Sequence, residues 1–298
     1  MFIRENSEAD PEPRVRTFAS SHAAVGEGPI WLSDRSKLLW VDMAVGDINL
    51  TDFASGTTET FRPFGFVGAV VPRHSGGWIA GTIDGFTLLD DEGTITRTLN
   101  VLPPGLRMND GKCDPMGRFW SGSTAEDFAP GCGAVHVLDA DGRVTAVVED
   151  VTLPNGLDWS PSGKTFYLAD SVSRQLLAFD CDLGALAVTN RRVIHEFSES
   201  DGMPDGLCVD ADGCIWVALW GGSAVVRLDD RGSLLGSIPI PARQPSSCAF
   251  GGPDLSTLFV TSAASGITQS AELSDGAVFA ITGTGARGQP VNRCHAES

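Results

Sequence analysis

The chain has 298 residues, 42% of them hydrophobic, with a net charge of −17 and a sequence pI near 4.5. That length allows a large core and one or two domains. The charge argues against a nucleic-acid partner, because no Lys/Arg cluster occurs beyond Arg191-Arg192, and no apolar run approaches the ~18 residues that a membrane span needs.

The chain opens with "MFIRENSEADPEPRVR", which is polar and mixed in charge. It has neither an apolar signal core nor a cleavage site, so residues 1–13 read as a polar leader and the protein as cytoplasmic. From there on, short β-rich runs alternate with turns such as "DDEG", "DADG" and "DDRG", and no stretch sustains a 3.6-residue period. An all-β fold with many strands follows.

Those strands repeat. "EGPIWLSDRSKLLWVD" from Glu27 aligns without a gap on "NGLDWSPSGKTFYLAD" from Asn155, so that Gly28 meets Gly156, Trp31 meets Trp159 and Asp42 meets Asp170. Further copies begin at Asp110 ("DGKCDPMGRFWSG"), Asp205 ("DGLCVDADGCIWVALW") and Ser246 ("SSCAFGGPDLSTLFVTS"), with a weaker one at Val67. The six starts, 27, 67, 110, 155, 205 and 246, lie 40, 43, 45, 50 and 41 residues apart. An aromatic follows each start by 10–13 residues: Trp40, Trp78, Trp120, Tyr167, Trp216 and Phe259. A third strand and a more polar fourth complete each copy. Four strands in about 45 residues make a propeller blade, so the chain reads as a single six-bladed β-propeller over residues 14–290, with a tail at 291–298. The last copy has three clear strands. "RVRTFAS" (14–20) supplies its fourth, closing the ring and removing exposed edges. The aromatics pack between blades.

In a propeller the first strand of each blade lines the axis, so equivalent positions meet around one channel. Here those positions are Glu27, Val67, Asp110, Asn155, Asp205 and Ser246. Carboxylates gathered there repel one another unless a cation neutralises them. The donors are all oxygens, which suits Ca²⁺, Mg²⁺ or Mn²⁺. Glu27 and Asp205 balance a 2+ charge and Asn155 adds a neutral oxygen. Gly156 reads as the turn that opens its blade, since Asn-Gly is a strong turn pair.

The other chemistry-bearing residues are sparse. Cysteines 113, 132, 181, 208, 214, 248 and 294 are odd in number and form no CxxC, which reads as free thiols in a reducing compartment. Neither GxSxG nor HExxH occurs. Lys112 is expected to pair with a nearby carboxylate and His136 to serve at the surface or between blades. Asp42 and Asp170 are expected to cap turns, and Trp220 either walls the mouth or packs a turn.

The segments "VGEGPIW", "RMNDGKCDPMGRFWSGS", "LPNGLDWSPSGKTFYLADS", "DGLCVDADGCIWVALWGG" and "SSCAFGGPDLSTLFVTSA" resemble the SMP-30/gluconolactonase/luciferin-regenerating-enzyme family over residues 20–290. The resemblance implies a six-bladed propeller and a divalent-metal-dependent lactonase acting on a small-molecule lactone. It implies one metal ion, Ca²⁺ foremost, with Mn²⁺, Mg²⁺, Zn²⁺ or Fe²⁺ as alternatives, held by Glu27, Asn155 and Asp205. Asp205 is also the implied general base, and Arg107 and Asn109 hold substrate oxygens, with Glu126 or Asp127 as a further contact. By its position, Asp110 reads as a carboxylate behind the metal ligands, the alternative being a further ligand through water. Where the sugar lactonases read Ala-Glu-Glu, this chain reads Ala125-Glu126-Asp127, one methylene shorter at the last place, and "FAPGC" (128–132) is more apolar than a pure sugar site. Two other readings stay open: a metal-dependent phosphotriester hydrolase, and a non-catalytic calcium-binding regulatory propeller.

Overall fold

A computed structural model describes residues 12–268 and 274–296. The leader expected at 1–13 lies outside the described residues except for its last two.

Six four-stranded antiparallel sheets ring one axis. Blade 1 is β2 (Gly26–Leu32), β3 (Lys37–Asp42), β4 (Asp47–Asp52) and β5 (Thr58–Phe61), and blade 2 is β6 (Ala69–Pro72), β7 (Trp78–Gly81), β8 (Gly85–Leu89) and β9 (Ile95–Asn100). Blade 3 is β10 (Leu106–Cys113), β11 (Phe119–Ala125), β12 (Gly133–Leu138) and β13 (Val144–Val151). Blade 4 is β14 (Pro154–Trp159), β15 (Thr165–Asp170), β16 (Gln175–Asp182) and β17 (Ala187–Glu196). Blade 5 is β18 (Met203–Val209), β19 (Ile215–Trp220), β20 (Ala224–Leu228) and β21 (Leu234–Pro239). Blade 6 is β22 (Pro245–Gly251), β23 (Thr257–Ser262), β24 (Val278–Thr282) and, from the start of the chain, β1 (Arg14–Ala19). The predicted closure is therefore present: β1 pairs antiparallel with β24, Arg14 opposite Thr282 and Thr17 opposite Phe279.

Burial follows position in the blade. The first strands, such as β2 and β22, are buried along their whole length, while the outermost β9 and β21 are mostly exposed. This is the usual gradient when sheets pack face to face around an axis. Aromatic rings join neighbours: Trp120 of blade 3 lies 5.1 Å from both Trp159 and Phe166 of blade 4, and Trp216 of blade 5 lies 5.5 Å from Phe250 of blade 6. Such pairs contribute about 0.5–1.5 kcal/mol beyond their burial. Two of the turns that precede these aromatics carry a shared anchor. Asp114 accepts the Trp120 indole N–H (2.8 Å) and the Arg118 Nε–H (2.6 Å), and Asp210 accepts the Trp216 indole N–H (2.9 Å) and the Arg227 Nη2–H (3.0 Å).

The face on which the first strands begin is called the upper face. The opposite end is crossed by residues 287–296. Ala211 N–H donates to Arg287 O (2.8 Å), the Gln289 amide reaches Trp159 O and Val209 O, Cys294 N–H donates to Pro72 O (2.9 Å) and His295 N–H to Gly117 O (2.8 Å). A cavity of about 280 Å³ lies between this segment and the channel, lined among others by Lys112, Cys113, Asp158, Cys208 and Gln289. The residues from 291 to 296 thus pack on the propeller, and Cys294 and Ala296 are buried.

Candidate metal centre and substrate mouth

Glu27, Asp110, Asn155 and Asp205 lie on the first strands of blades 1, 3, 4 and 5, and all four are buried. In each strand the ladder slips at that point: between Glu27 and Ile30, Met108 and Gly111, Pro154 and Leu157, and Pro204 and Leu207. A bulge turns side chains away from the regular up-down alternation, which is how a strand packed on both faces aims a carboxylate along the axis.

The bulges correct one sequence expectation. Gly156 is not a turn residue: it lies inside β14, and its φ is not among the positive ones. A Cβ there would stand 2.2 Å from the Leu207 nitrogen, and one at Gly206 would stand 2.3 Å from the Ser247 Cβ. Both glycines let the first strands of adjacent blades approach closely at the axis.

The electrostatics of the three carboxylates are those of buried, crowded anions. Burial pushes the Glu27 carboxyl well above the ordinary range, the Asp205 and Asp110 carboxylates push it further, and the Gly28 N–H pulls it back. Burial and then Asp110 raise Asp205, against the Gly206 N–H and the Asn155 amide. Burial also raises Asp110, with Lys112 and the Gly111 N–H opposing. Lys112 donates to Asp158 (2.9 Å) and to Leu207 O (3.1 Å), so its charge sits on the lower side of the cluster. Two buried oxygens, Asn155 Oδ1 and Asp205 Oδ1, have no hydrogen-bond partner among the described residues. An orphaned buried oxygen is costly, at about 1–3 kcal/mol. Two of them, set beside a carboxylate destabilised by its neighbours, fit a hard divalent cation. Among the described residues, no three His, Cys, Asp or Glu side chains converge closely enough to hold an ion by themselves.

A pH dependence follows. Folded Glu27 and Asp205 hold protons that the unfolded chain releases, so their contribution to stability is present below the unfolded carboxyl pKa and is lost as pH rises through the raised folded values. Surface carboxyls such as Asp52, Asp180 and Asp229, lowered by hydrogen bonds, act in a separate and more acidic window. Metal-stripped protein is therefore expected to melt at higher temperature at about pH 5 than at about pH 7, and saturating calcium to remove that slope. A flat melting temperature across that range in stripped protein would refute the crowding.

Around the upper mouth, Arg107 Nη1 donates to Asn109 Oδ1 (2.8 Å) and Met108 O (3.2 Å), and Asn109 Nδ2 donates to Pro154 O (3.1 Å). Asn109 is buried and holds Arg107 in place, with one N–H and one lone pair of its amide left over. Arg107 feels both Glu126 and Glu27, which partly offset the loss of its hydration. Of the two loop carboxylates, Glu126 is the one whose charge acts on Arg107. Asp127 Oδ1 accepts the Ala129 N–H (3.1 Å) in a local turn.

The remaining expectations have plain structural places. Asp42 accepts the backbone N–H groups of Ala24 and Val25, and Asp170 those of Thr152 and Leu153. His136 Nε2 meets Ser123 Oγ at 2.9 Å. Trp220 ends β19, half-buried. Val67 is apolar and buried, and Ser246 Oγ donates to Gly26 O, so neither joins the anionic cluster. Sequence reasoning missed Ser171, whose hydroxyl accepts from Asn155 Nδ2 (3.1 Å) and donates to Pro204 O (2.7 Å). It also missed the phenyl rings around Arg107: its Cζ lies 5.0 Å from the Phe66 centroid and 5.8 Å from that of Phe128.

Known proteins share this arrangement of blades. A family model described as SMP-30/Gluconolactonase/LRE-like region matches residues 25–264, which include all the channel and Arg107 positions. Regucalcin of Danio rerio is 36% identical over 285 residues, covering 93% of this chain and 97% of that protein. The putative sugar lactone lactonase YvrE of Bacillus subtilis (strain 168) is 33% identical over 255 residues, covering 84% and 87%. The solved structure of a calcium-binding protein, regucalcin, from Agrobacterium tumefaciens superposes with a TM-score of 0.88 at 28% identity, covering 95% and 98%. On the length of these matches and the agreement of fold, the chain belongs to the SMP-30/Gluconolactonase/LRE-like family.

Proposed function

We propose that this protein is a divalent-metal-dependent lactonase, opening a small cyclic ester to its hydroxy acid. The observation that carries the reading is the pair of orphaned oxygens, Asn155 Oδ1 and Asp205 Oδ1, buried beside the raised carboxyl of Glu27. The similarity to a protein named a putative sugar lactone lactonase and to a calcium-binding regucalcin supports it. Glu27, Asn155 and Asp205 would hold the ion, with Ca²⁺ the first candidate and Asp110 behind them. When bound, the ion supplies positive charge to polarise the lactone carbonyl and steady the developing oxyanion.

The chain's own residues do the rest. Arg107, fixed by Asn109, presents its free Nε and Nη2 donors to a lactone oxygen and orients the ring. Asp205 takes a proton from the attacking water as its oxygen bonds to the carbonyl carbon. The endocyclic C–O bond then breaks, and the leaving alkoxide receives the proton. A carboxylate raised by burial is a better base near neutrality than an exposed one. Seven free cysteines are in keeping with a reducing, cytoplasmic setting. Among the described residues no helix is long and apolar enough to cross a membrane.

The test is acid release, followed by pH-stat, from a lactone panel with metal-stripped protein and ions added back singly. Release is expected only after a divalent ion is restored. Activity retained without any ion would sink the mechanism, and turnover of phosphotriesters with no lactone accepted would move the reading to the other ester class. Ion binding without any hydrolysis would leave a regulatory propeller.

A further inference from the structure

Two phenylalanines on the upper face are not used by the reaction above. Phe66 lies in the segment joining β5 to β6 and Phe128 in that joining β11 to β12. First strands begin, and second strands end, on the upper face, so both segments border the same mouth as Arg107. Their ring centroids lie 5.0 and 5.8 Å from the guanidinium carbon, within the range of cation–π contact. Phe128 is 41% exposed, and its φ of +56° is unusual for a bulky side chain. The turn is held by Phe128 N–H to Ala125 O (2.9 Å) and Ala129 N–H to Asp127 Oδ1 (3.1 Å), with Gly131 N–H tied to Thr152 Oγ1 (3.2 Å). An aromatic kept exposed on strained backbone is a candidate for contact with a ligand.

The polar groups nearby are few. The Asp127 carboxylate serves its own turn, the Glu126 carboxylate is set against the Arg107 charge, and the Asn109 amide, bonded to Arg107 and Pro154 O, keeps one N–H and one lone pair. Arg107 has two phenyl rings within cation–π range, and its Nε and Nη2 edges have no hydrogen-bond partner among the described residues. A polyhydroxylated ring needs a partner for each hydroxyl it brings out of water. Beside those few polar groups this mouth presents two phenyl rings, which offer a hydroxyl no partner.

We propose that Phe66 and Phe128 are the specificity-determining walls of the mouth, and that they select a lactone bearing an apolar alkyl or aryl arm over a polyhydroxylated sugar lactone. The selection rests on the lactonase reading above. The carbonyl end of the ring meets the Arg107 edge while the arm lies along the phenyl rings. The same rings keep the guanidinium from turning, so Phe66 is also a positioning residue for Arg107.

The test compares two substrates on calcium-saturated protein: a γ-lactone with a six-carbon alkyl arm, and glucono-δ-lactone. The wild type is expected to favour the alkyl lactone in kcat/KM, and Phe128→Ala to lower that value about 10-fold, mainly through KM, while changing the sugar lactone less than about twofold. Phe128→Leu, which keeps an apolar wall, is expected to restore most of the loss. Calorimetry with the two matching lactams reads the mouth without turnover, which separates failure of this inference from failure of the lactonase reading. Tighter binding of the alkyl lactam, reduced by Phe128→Ala, supports the inference even if no lactone is opened. A wild-type preference for the sugar lactone or its lactam, an equal fall on both substrates, or no binding of either lactam overturns it.

Discussion

Asp205→Ala is expected to lower lactone turnover by about 10²–10⁴-fold through loss of the base alone, and to weaken the divalent ion as well. Asp205→Asn separates the two roles. It keeps a neutral oxygen in the same volume but cannot take a proton, so the ion should still bind, more weakly, while turnover stays near the alanine level. Turnover of the asparagine variant within about tenfold of wild type would show that the proton goes elsewhere. Stability supplies an independent check with an unusual sign. In metal-stripped protein at neutral pH, Asp205 is a buried carboxyl raised by its burial and by Asp110, so a neutral amide, which carries no such protonation cost, should raise the melting temperature. A site held against its own folding preference is expected where a group serves binding or chemistry. If Asp205 were a structural residue, Asp205→Asn would instead destabilise the stripped protein.

The ring of blades was legible because its cause is local and repeated. Each copy carries the same spacing from a polar strand start to an aromatic, and Trp120 and Trp216 are buried where that spacing puts them. The strand 14–20 could be placed because the sixth copy was one strand short, and an unclosed ring leaves an edge. The register of Glu27, Asn155 and Asp205 was legible for the same reason. What the pattern could not show depends on contacts between distant segments. Asn155-Gly156 looked like a turn pair because the sequence does not reveal that Leu207 N approaches from the next blade. Residues 287–296 carry no repeat signature, and their role under the channel comes from scattered backbone partners such as Pro72, Gly117 and Trp159. Phe66 and Phe128 are 62 residues apart in the chain, and only the shared upper face brings both to Arg107. The one hint was compositional, the apolar "FAPGC".

Asn155→Asp is the sharpest test of the centre, because the change is one atom and the structure shows what the amide donates to. Asn155 Nδ2 donates to Ser171 Oγ, and the Ser171 proton is already committed to Pro204 O. A carboxylate in place of the amide would therefore point an oxygen at an oxygen with no proton between them. It would also stand beside Asp205 and add a charge to the Glu27–Asp110–Asp205 cluster, where burial already raises all three and neighbouring cluster carboxylates raise Glu27 and Asp205 further. An uncompensated buried charge costs about 3–5 kcal/mol, so the metal-stripped variant is expected to melt several degrees below stripped wild type. The penalty should shrink as pH falls and the new carboxyl is protonated. Saturating divalent ion should recover part of the loss, because a cation neutralises the added charge, and the variant should consequently show a larger calcium-induced rise in melting temperature than wild type. Turnover should fall even with the ion restored, since a more anionic donor set leaves less positive charge for the lactone carbonyl. Ser171→Ala should behave differently: it removes the hydroxyl that orients Asn155 but adds no charge, so its stripped form should show no added pH dependence. An Asn155→Asp variant with wild-type melting, ion affinity and turnover would return Asn155 to the status of a strand residue.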